Sequence, residues 1–152
     1  MNPTTVQAAA TGNVTRANLG FLLAKASQRW NEILYAHFSE RGYGEVRPAY
    51  GSLLLPLFED DGLRMGELAR RARLAKQTMT TMVRLLERDG LVRRETDPHD
   101  GRATCIFLTD RALSFRPVAE RVLRDLDELV VGALGARRAR QLAIDLKEVS
   151  DL

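Results

Sequence analysis

The sequence predicts a mainly α-helical protein carrying one small β-hairpin, and three observations support this. Apolar residues step by three and four over two long stretches, 18–41 and 109–133. Between those stretches, two short segments of strand character flank the turn-rich run Asp97, Pro98, His99, Asp100 and Gly101. The chain has 152 residues, 45% of them hydrophobic and 28% charged, which suits one globular domain and argues against a disordered or collagen-like chain.

Residues 1–15 show no helical or strand period and few large apolar groups, so they read as a flexible N-terminal tail. From 18 to 41, Leu19, Leu22, Leu23, Ala26, Trp30, Ile33, Leu34, His37 and Phe38 make one helix face, and Gly42 stands where a left-handed cap belongs. This N-terminal unit covers 16–47. Pro48 opens a second helix as a first-turn proline, running to about residue 59, with Pro56 expected to bend or shorten it. Asp60, Asp61 and Gly62 form the turn that ends it.

A short helix over 66–72 buries Leu68 and Ala69, and a second runs over 75–89 to a cap at Gly90. The second helix sets Met79, Met82, Val83, Leu85 and Leu86 against Lys76, Gln77, Thr80, Thr81 and Arg84 on its other face. The pair reads as a helix-turn-helix. Segments 91–96 and 103–108 then form the hairpin. Thr109 caps a long helix that is apolar at Leu113, Val118, Val122, Leu126, Leu129 and Ala133, with an early kink expected at Pro117. Gly132 and Gly135 weaken that helix, and 137–149 is the last one.

The net charge of +3 is unevenly spread. Between residues 70 and 94, Arg70, Arg71, Arg73, Lys76, Arg84, Arg88, Arg93 and Arg94 face only Glu87 and Asp89, a local +6. A basic segment in a near-neutral chain is the footprint of a phosphate-binding surface, or of a solvated helix face. One Cys and two His cannot complete a four-ligand zinc site or an internal disulfide. No cofactor is expected. No apolar run approaches a bilayer's thickness and the N-terminus does not resemble a signal peptide, so the expected location is the cytoplasm. Neither a Gly-rich phosphate loop nor a nucleophile with a His and acid nearby supports an enzyme.

The stretch Asp97, Pro98, His99, Asp100, Gly101, Arg102, Ala103 is similar to the wing signature of the MarR family of winged helix-turn-helix regulators. Leu86 to Val92, Glu67 to Ala69, and Leu108 with Thr109 resemble further landmarks of that family. The resemblance spans roughly 18–149. It implies a winged helix-turn-helix lobe over 48–110 between N-terminal and C-terminal dimerisation helices, 16–47 and 111–152. It further implies a homodimer, commonly a repressor, on a near-palindromic duplex DNA operator, released by a small aromatic or phenolic effector.

Elementary chemistry agrees, since a helix fits the major groove and must show bases donors and acceptors. Lys76, Gln77, Thr80, Thr81 and Arg84 are that set, and Arg93 and Arg94 would neutralise phosphates. The wing resembles those that place an arginine in the minor groove, here Arg102, held by Asp100. The alternative for Arg102 is an internal salt bridge to Asp97 or Asp100. Leu126, Leu129, Val130, Leu134, Leu142 and Leu146 are candidates for the dimer interface or for intramolecular core. Trp30, His37 and Tyr50 are candidates for an effector pocket or for core packing. Cys105, inside a strand, reads as a buried small hydrophobe.

Three departures from the family pattern stand out. Arg73 occupies the turn where Gly is usual, Ala75 stands where Ser or Thr caps the recognition helix, and His99 replaces a basic wing residue. Its charge would depend on pH near neutrality. A non-specific architectural DNA binder and an interaction module without DNA binding remain as alternative functions.

Overall fold

The computed structural model describes residues 14–152, so nearly all of the expected N-terminal tail, 1–13, lies outside the described residues. Helix α1 (Leu19–Glu40) begins at Asn18, whose side-chain oxygen accepts the Gly20 N–H at 3.0 Å. It ends at Gly42 in a left-handed cap, with the Gly42 and Tyr43 amides donating to the carbonyls of Ser39 and Phe38. A 3-10 turn (Pro48–Tyr50) leads into α2 (Gly51–Glu59), which carries Pro56 in its interior. Pro48 thus starts a tighter turn rather than the α-helix itself.

After α2 come β1 (Leu63–Arg64), α3 (Met65–Ala72), α4 (Lys76–Arg88), β2 (Val92–Asp97), β3 (Asp100–Leu108), α5 (Asp110–Leu134) and α6 (Ala136–Ser150). The sheet has three antiparallel strands in the order β1-β3-β2, with Leu63 opposite Ile106 and Val92 opposite Leu108. Strand β1 is an addition to the expected hairpin. At two residues it has no period to detect, and it forms because the Asp61 carboxylate fastens the preceding turn to β3. Asp61 Oδ1 accepts both its neighbour Gly62 N–H and the Leu108 N–H, each at 2.9 Å. Gly62 has a positive φ of 75°, and a Cβ there would stand 2.6 Å from the Phe107 ring. The hairpin is also longer than expected. β3 begins at Asp100, leaving Pro98 and His99 as the loop, with a register irregularity between Thr96 and Asp97.

The core joins every element except α6. Leu53 and Leu57 from α2, Leu68 from α3, Met79, Val83 and Leu86 from α4, Ile106 from β3, and Val122 from α5 have no exposed surface. Thr109 ties the sheet to α4 and α5, accepting the Ala112 N–H as N-cap and donating its hydroxyl to the Gly90 carbonyl at 2.6 Å. Helix α5 runs through Pro117 without a break, so the expected kink does not divide it. Its buried face is Ala112, Phe115, Ala119, Val122 and Leu126, while Leu113 and Leu129 are exposed. The inward stripe is therefore turned from the expected one, with Phe115 edge-on to Phe38 at 4.8 Å between ring centroids.

Two interface expectations separate here. Leu126 is buried within the single chain's core, so it is not a dimer contact. Leu129, Leu142 and Leu146 are exposed, Val130 and Leu134 are half-buried, and α6 has no buried residue.

Candidate nucleic-acid interface

Helices α3 and α4 are joined by Arg73, Leu74 and Ala75. Arg73 adopts φ 53° and ψ 42°, and it is the one non-glycine residue with positive φ among the described residues. The left-handed turn that usually uses Gly is therefore built with arginine, at a backbone cost of about 1–2 kcal/mol. Its backbone pattern matches the cap at Gly42, with the Arg73 and Leu74 amides donating to the Arg70 and Ala69 carbonyls. Ala75 precedes α4 in an extended conformation and offers no side-chain cap. The exposed first turn of α4 thus lacks the Ser or Thr acceptor that normally serves its amides.

On α4, buried Met79, Val83 and Leu86 hold the inner face. Lys76, Gln77, Thr81 and Arg84 are exposed on the other, with Thr80 half-buried beside them. The hydroxyls of Thr80 and Thr81 donate to the Lys76 and Gln77 carbonyls, which orients their methyl groups and keeps each hydroxyl's acceptor capacity. At the far end of α4, the Tyr50 hydroxyl donates to Asp89 Oδ2 at 2.5 Å, and Arg88 pairs with the same carboxylate. These partners hold the Asp89 carboxyl below its ordinary range, Arg88 foremost, while burial and then Asp89 push the Tyr50 phenol up. Tyr50 is 1% exposed and packed in the core.

The wing is organised by Asp97, a residue expected only as an alternative partner for Arg102. Its buried carboxylate accepts the His99 N–H at 2.8 Å and Arg64 Nε at 2.6 Å, and these bonds, the former first, lower its pKa. Arg64 lies on β1, so the missed strand supplies the partner of the hairpin's buried acid. Asp100 Oδ1 accepts the main-chain N–H of Arg102 at 3.0 Å, which corrects the expected grip on the guanidinium. His99 is exposed at the tip. Cys105 is buried, and burial pushes its thiol above the ordinary value.

The cations of the basic segment divide sharply. Arg70 and Arg71 share Glu67, whose carboxyl is held down at about 2 by Arg70 and then Arg71. Arg73 pairs with Asp151, Arg88 with Asp89, and Arg94 with Glu87. Arg93 pairs with Glu95, donates to the Leu108 carbonyl at 2.9 Å and lies 5.0 Å over the Phe107 ring. Arg93 and Arg94, expected to neutralise phosphates, are thus each also engaged within the lobe through an ion pair. Among the described residues from 70 to 102, only Lys76, Arg84 and Arg102 have no carboxylate within salt-bridge distance. Two project from α4 and one from the wing.

None of the three effector candidates lines either of the two grooves described below. Trp30 is half-buried against the core, His37 is half-buried with its ring nitrogen 3.2 Å from Arg41, and Tyr50 is inside. A groove of about 510 Å³ lies instead at the start of α1 around Val14, Arg16 and Phe21. Another of about 410 Å³ lies between α2 and α3, around Leu55, Pro56, Glu59 and Arg71. Among the described residues no group of His, Cys, Asp and Glu is arranged to hold a metal, and no helix is long and apolar enough to cross a membrane.

Residues 54–103 match the MarR family model, a span that runs from α2 through the helix-turn-helix into the wing. The HTH-type transcriptional repressor Rv2887 of Mycobacterium tuberculosis is 33% identical over 125 residues, covering 82% of this chain and 88% of the relative. A crystal structure of that M. tuberculosis protein with salicylic acid superposes at a TM-score of 0.61, with 30% identity over 87% of this chain and 96% of the other. The fold is also that of PcaV from Streptomyces coelicolor, solved with its natural ligand, at a TM-score of 0.76 and 22% identity over 91% of this chain and 96% of the other. Helix-turn-helix, wing and sequence relatives agree, and the chain belongs to the MarR family of DNA-binding transcription regulators rather than to any enzyme class.

Proposed function

We propose that this regulator is a repressor that binds a near-palindromic operator as a homodimer and leaves it when a small aromatic or phenolic acid binds. The observation that carries the DNA reading is the division of cations. Lys76 and Arg84 on the exposed face of α4, with Arg102 on the wing, are the ones left unneutralised by the fold. Lys76 and Arg84 can donate to guanine O6 and N7, Gln77 can pair with adenine, and the Thr methyls can touch thymine. Arg102 suits the adjacent minor groove, with Arg93, Arg94 and His99 at its margin.

The dimer reading rests on apolar surface that one chain leaves uncovered. Leu129, Leu142 and Leu146 are exposed at the distal end of α5 and on α6, as are Leu19, Phe21 and Leu22 on α1. The effector class rests on the related M. tuberculosis protein solved with salicylic acid. Trp30 and His37, both half-buried on α1, remain the pocket residues proposed. Tyr50 is proposed to act from within the core, through its bond to Asp89.

Selection of binding sites from a random duplex pool at about 150 mM salt tests this reading. The expected survivor is an inverted repeat with half-site centres roughly 10 base pairs apart. Bound DNA with no shared sequence would replace the repressor with a non-specific architectural binder, because phosphate contacts alone support affinity without preference. Light scattering should give twice the 17.0 kDa chain mass, and salicylate should release the selected duplex.

A further inference from the structure

Three helices of this chain end on the same backbone device, a residue in the left-handed region followed by an amide that reaches back five residues. At two of them the left-handed residue is Gly42 or Gly90, and at the third it is Arg73. A glycine would serve the turn with less strain. What arginine adds is reach. Its guanidinium crosses to the end of α6, donating to the Ser150 carbonyl at 2.6 Å and to Asp151 Oδ1 at 2.8 Å.

The Ser150 carbonyl belongs to the last turn of α6, where helix carbonyls lack intrahelical donors and the helix dipole favours a cation. Lys147 Nζ holds the other oxygen of Asp151 at 3.0 Å, so the acceptor is oriented from its own helix as well. Helix α6 has no buried residue, and packing therefore does little to fix its end. Arg73 stands three residues before Lys76, the first residue of α4. The bonds of Arg73 therefore connect the end of α6 to the turn that leads into α4.

We propose that Arg73 is a positioning residue for DNA binding, clamping the turn before α4 to the end of α6 so that the placement of α4 follows the C-terminal helices. The proposal rests on the reading of this chain as an operator-binding regulator. The clamp is intramolecular and leaves the DNA-facing side chains untouched. The clamp uses one N–H of each terminal nitrogen of Arg73, on Ser150 and Asp151, and the salt series below separates this role from a direct phosphate contact. Breaking the clamp frees α4 to sample positions in which both half-sites cannot be engaged together.

The test compares the wild-type chain with Arg73→Gly, Asp151→Ala and the double variant on the selected operator across a salt series, with Tm and amide exchange measured alongside. Each single variant is expected to weaken binding about fivefold, with the double variant no weaker than either. The salt slope should stay unchanged, and the Tm of Arg73→Gly should be equal or higher because the turn is relaxed. Exchange at the amides of residues 79–81 should quicken in both single variants. Asp151→Ala removes a negative charge, so simple electrostatics would tighten DNA binding. Wild-type or tighter binding by Asp151→Ala overturns the proposal, as does a salt slope lowered by about one in Arg73→Gly, the mark of a lost phosphate contact. If the wild-type chain selects no DNA, the repressor reading fails, and the exchange data alone then uphold the clamp if exchange quickens or overturn it if unchanged.

Discussion

The DNA-binding lobe and the helical arm that extends from it are built on opposite terms. In the lobe, α2 to β3 bury Leu53, Leu57, Leu68, Met79, Val83, Leu86 and Ile106 completely, and six of its nine cations between residues 70 and 102 are matched to carboxylates. In the arm, burial on α5 stops at Leu126, and α6 leaves Leu142, Ile144, Leu146 and Val149 exposed. Apart from Arg73, which reaches Asp151 at the end of α6, the paired cations of the lobe find their carboxylates within it, whereas the arm presents apolar surface that the single chain leaves uncovered. Apolar residues at helical spacing thus have two destinations, and only the packing around each residue says which one it takes.

The sharpest break of this contrast comes from truncating the two regions alike. Leu86→Ala should destabilise the fold by about 2–5 kcal/mol in urea unfolding, because it leaves a cavity that the sheet and α2 cannot fill. Leu146→Ala should cost less than about 1 kcal/mol in the same measurement at concentrations where chains stay apart. Equal losses would mean that α6 is part of the core.

A somewhat smaller effect is expected from charging the arm. The pair Leu142→Glu and Leu146→Glu should give particles of 17.0 kDa in light scattering, and operator affinity should fall about a hundredfold as the two half-sites lose their linkage. Unaltered mass would remove α6 from the proposed interface. Arg102→Ala leaves both cores intact, and should weaken operator binding roughly tenfold and lower the salt slope by about one. An unchanged slope would mean that the wing does not touch phosphate.

The smallest effect concerns pH. The His99 amide and Arg64 lower the Asp97 pKa in the folded chain. The stabilisation from this acid is therefore fully present above the ordinary Asp value near 3.9 and fades as pH falls toward the lower folded value. A carboxyl titration followed by NMR should find Asp97 still ionised at pH 4, with wing amides unshifted. Protonation of Asp97 above pH 4 would show that the buried pair is weaker than its geometry suggests.

The helix-turn-helix and wing were legible because their signals are local. The period of Met79, Val83 and Leu86, the capping glycine at 90 and the turn chemistry from Asp97 to Gly101 each act within a few residues. The exposed face of α4 followed from the same period, which is why Lys76, Gln77, Thr81 and Arg84 could be named together. Strand β1 was not legible, since two residues carry no pattern and the strand exists through Asp61 and the Ile106 pairing. The roles of Arg64 and Asp97 stayed hidden with it. Spotting an acid inside the wing run and asking which neighbour neutralises it was the available signal.

Charge is where sequence and structure divide most clearly. The sequence alone determined that a +6 segment lies on and around a helix-turn-helix, because composition and period are properties of the chain itself. Which of those charges remain available was decided by tertiary structure. Glu87 lies seven residues from Arg94 and Asp151 lies 78 residues from Arg73, separations no helical or strand period can anticipate. The same holds for Leu126 and Leu129, three residues apart on one helix and sent to core and surface. Local periodicity sets what a segment can bury, but the angle at which α5 meets α1 and the sheet sets what it does bury, and that angle is fixed by contacts between residues distant in the chain.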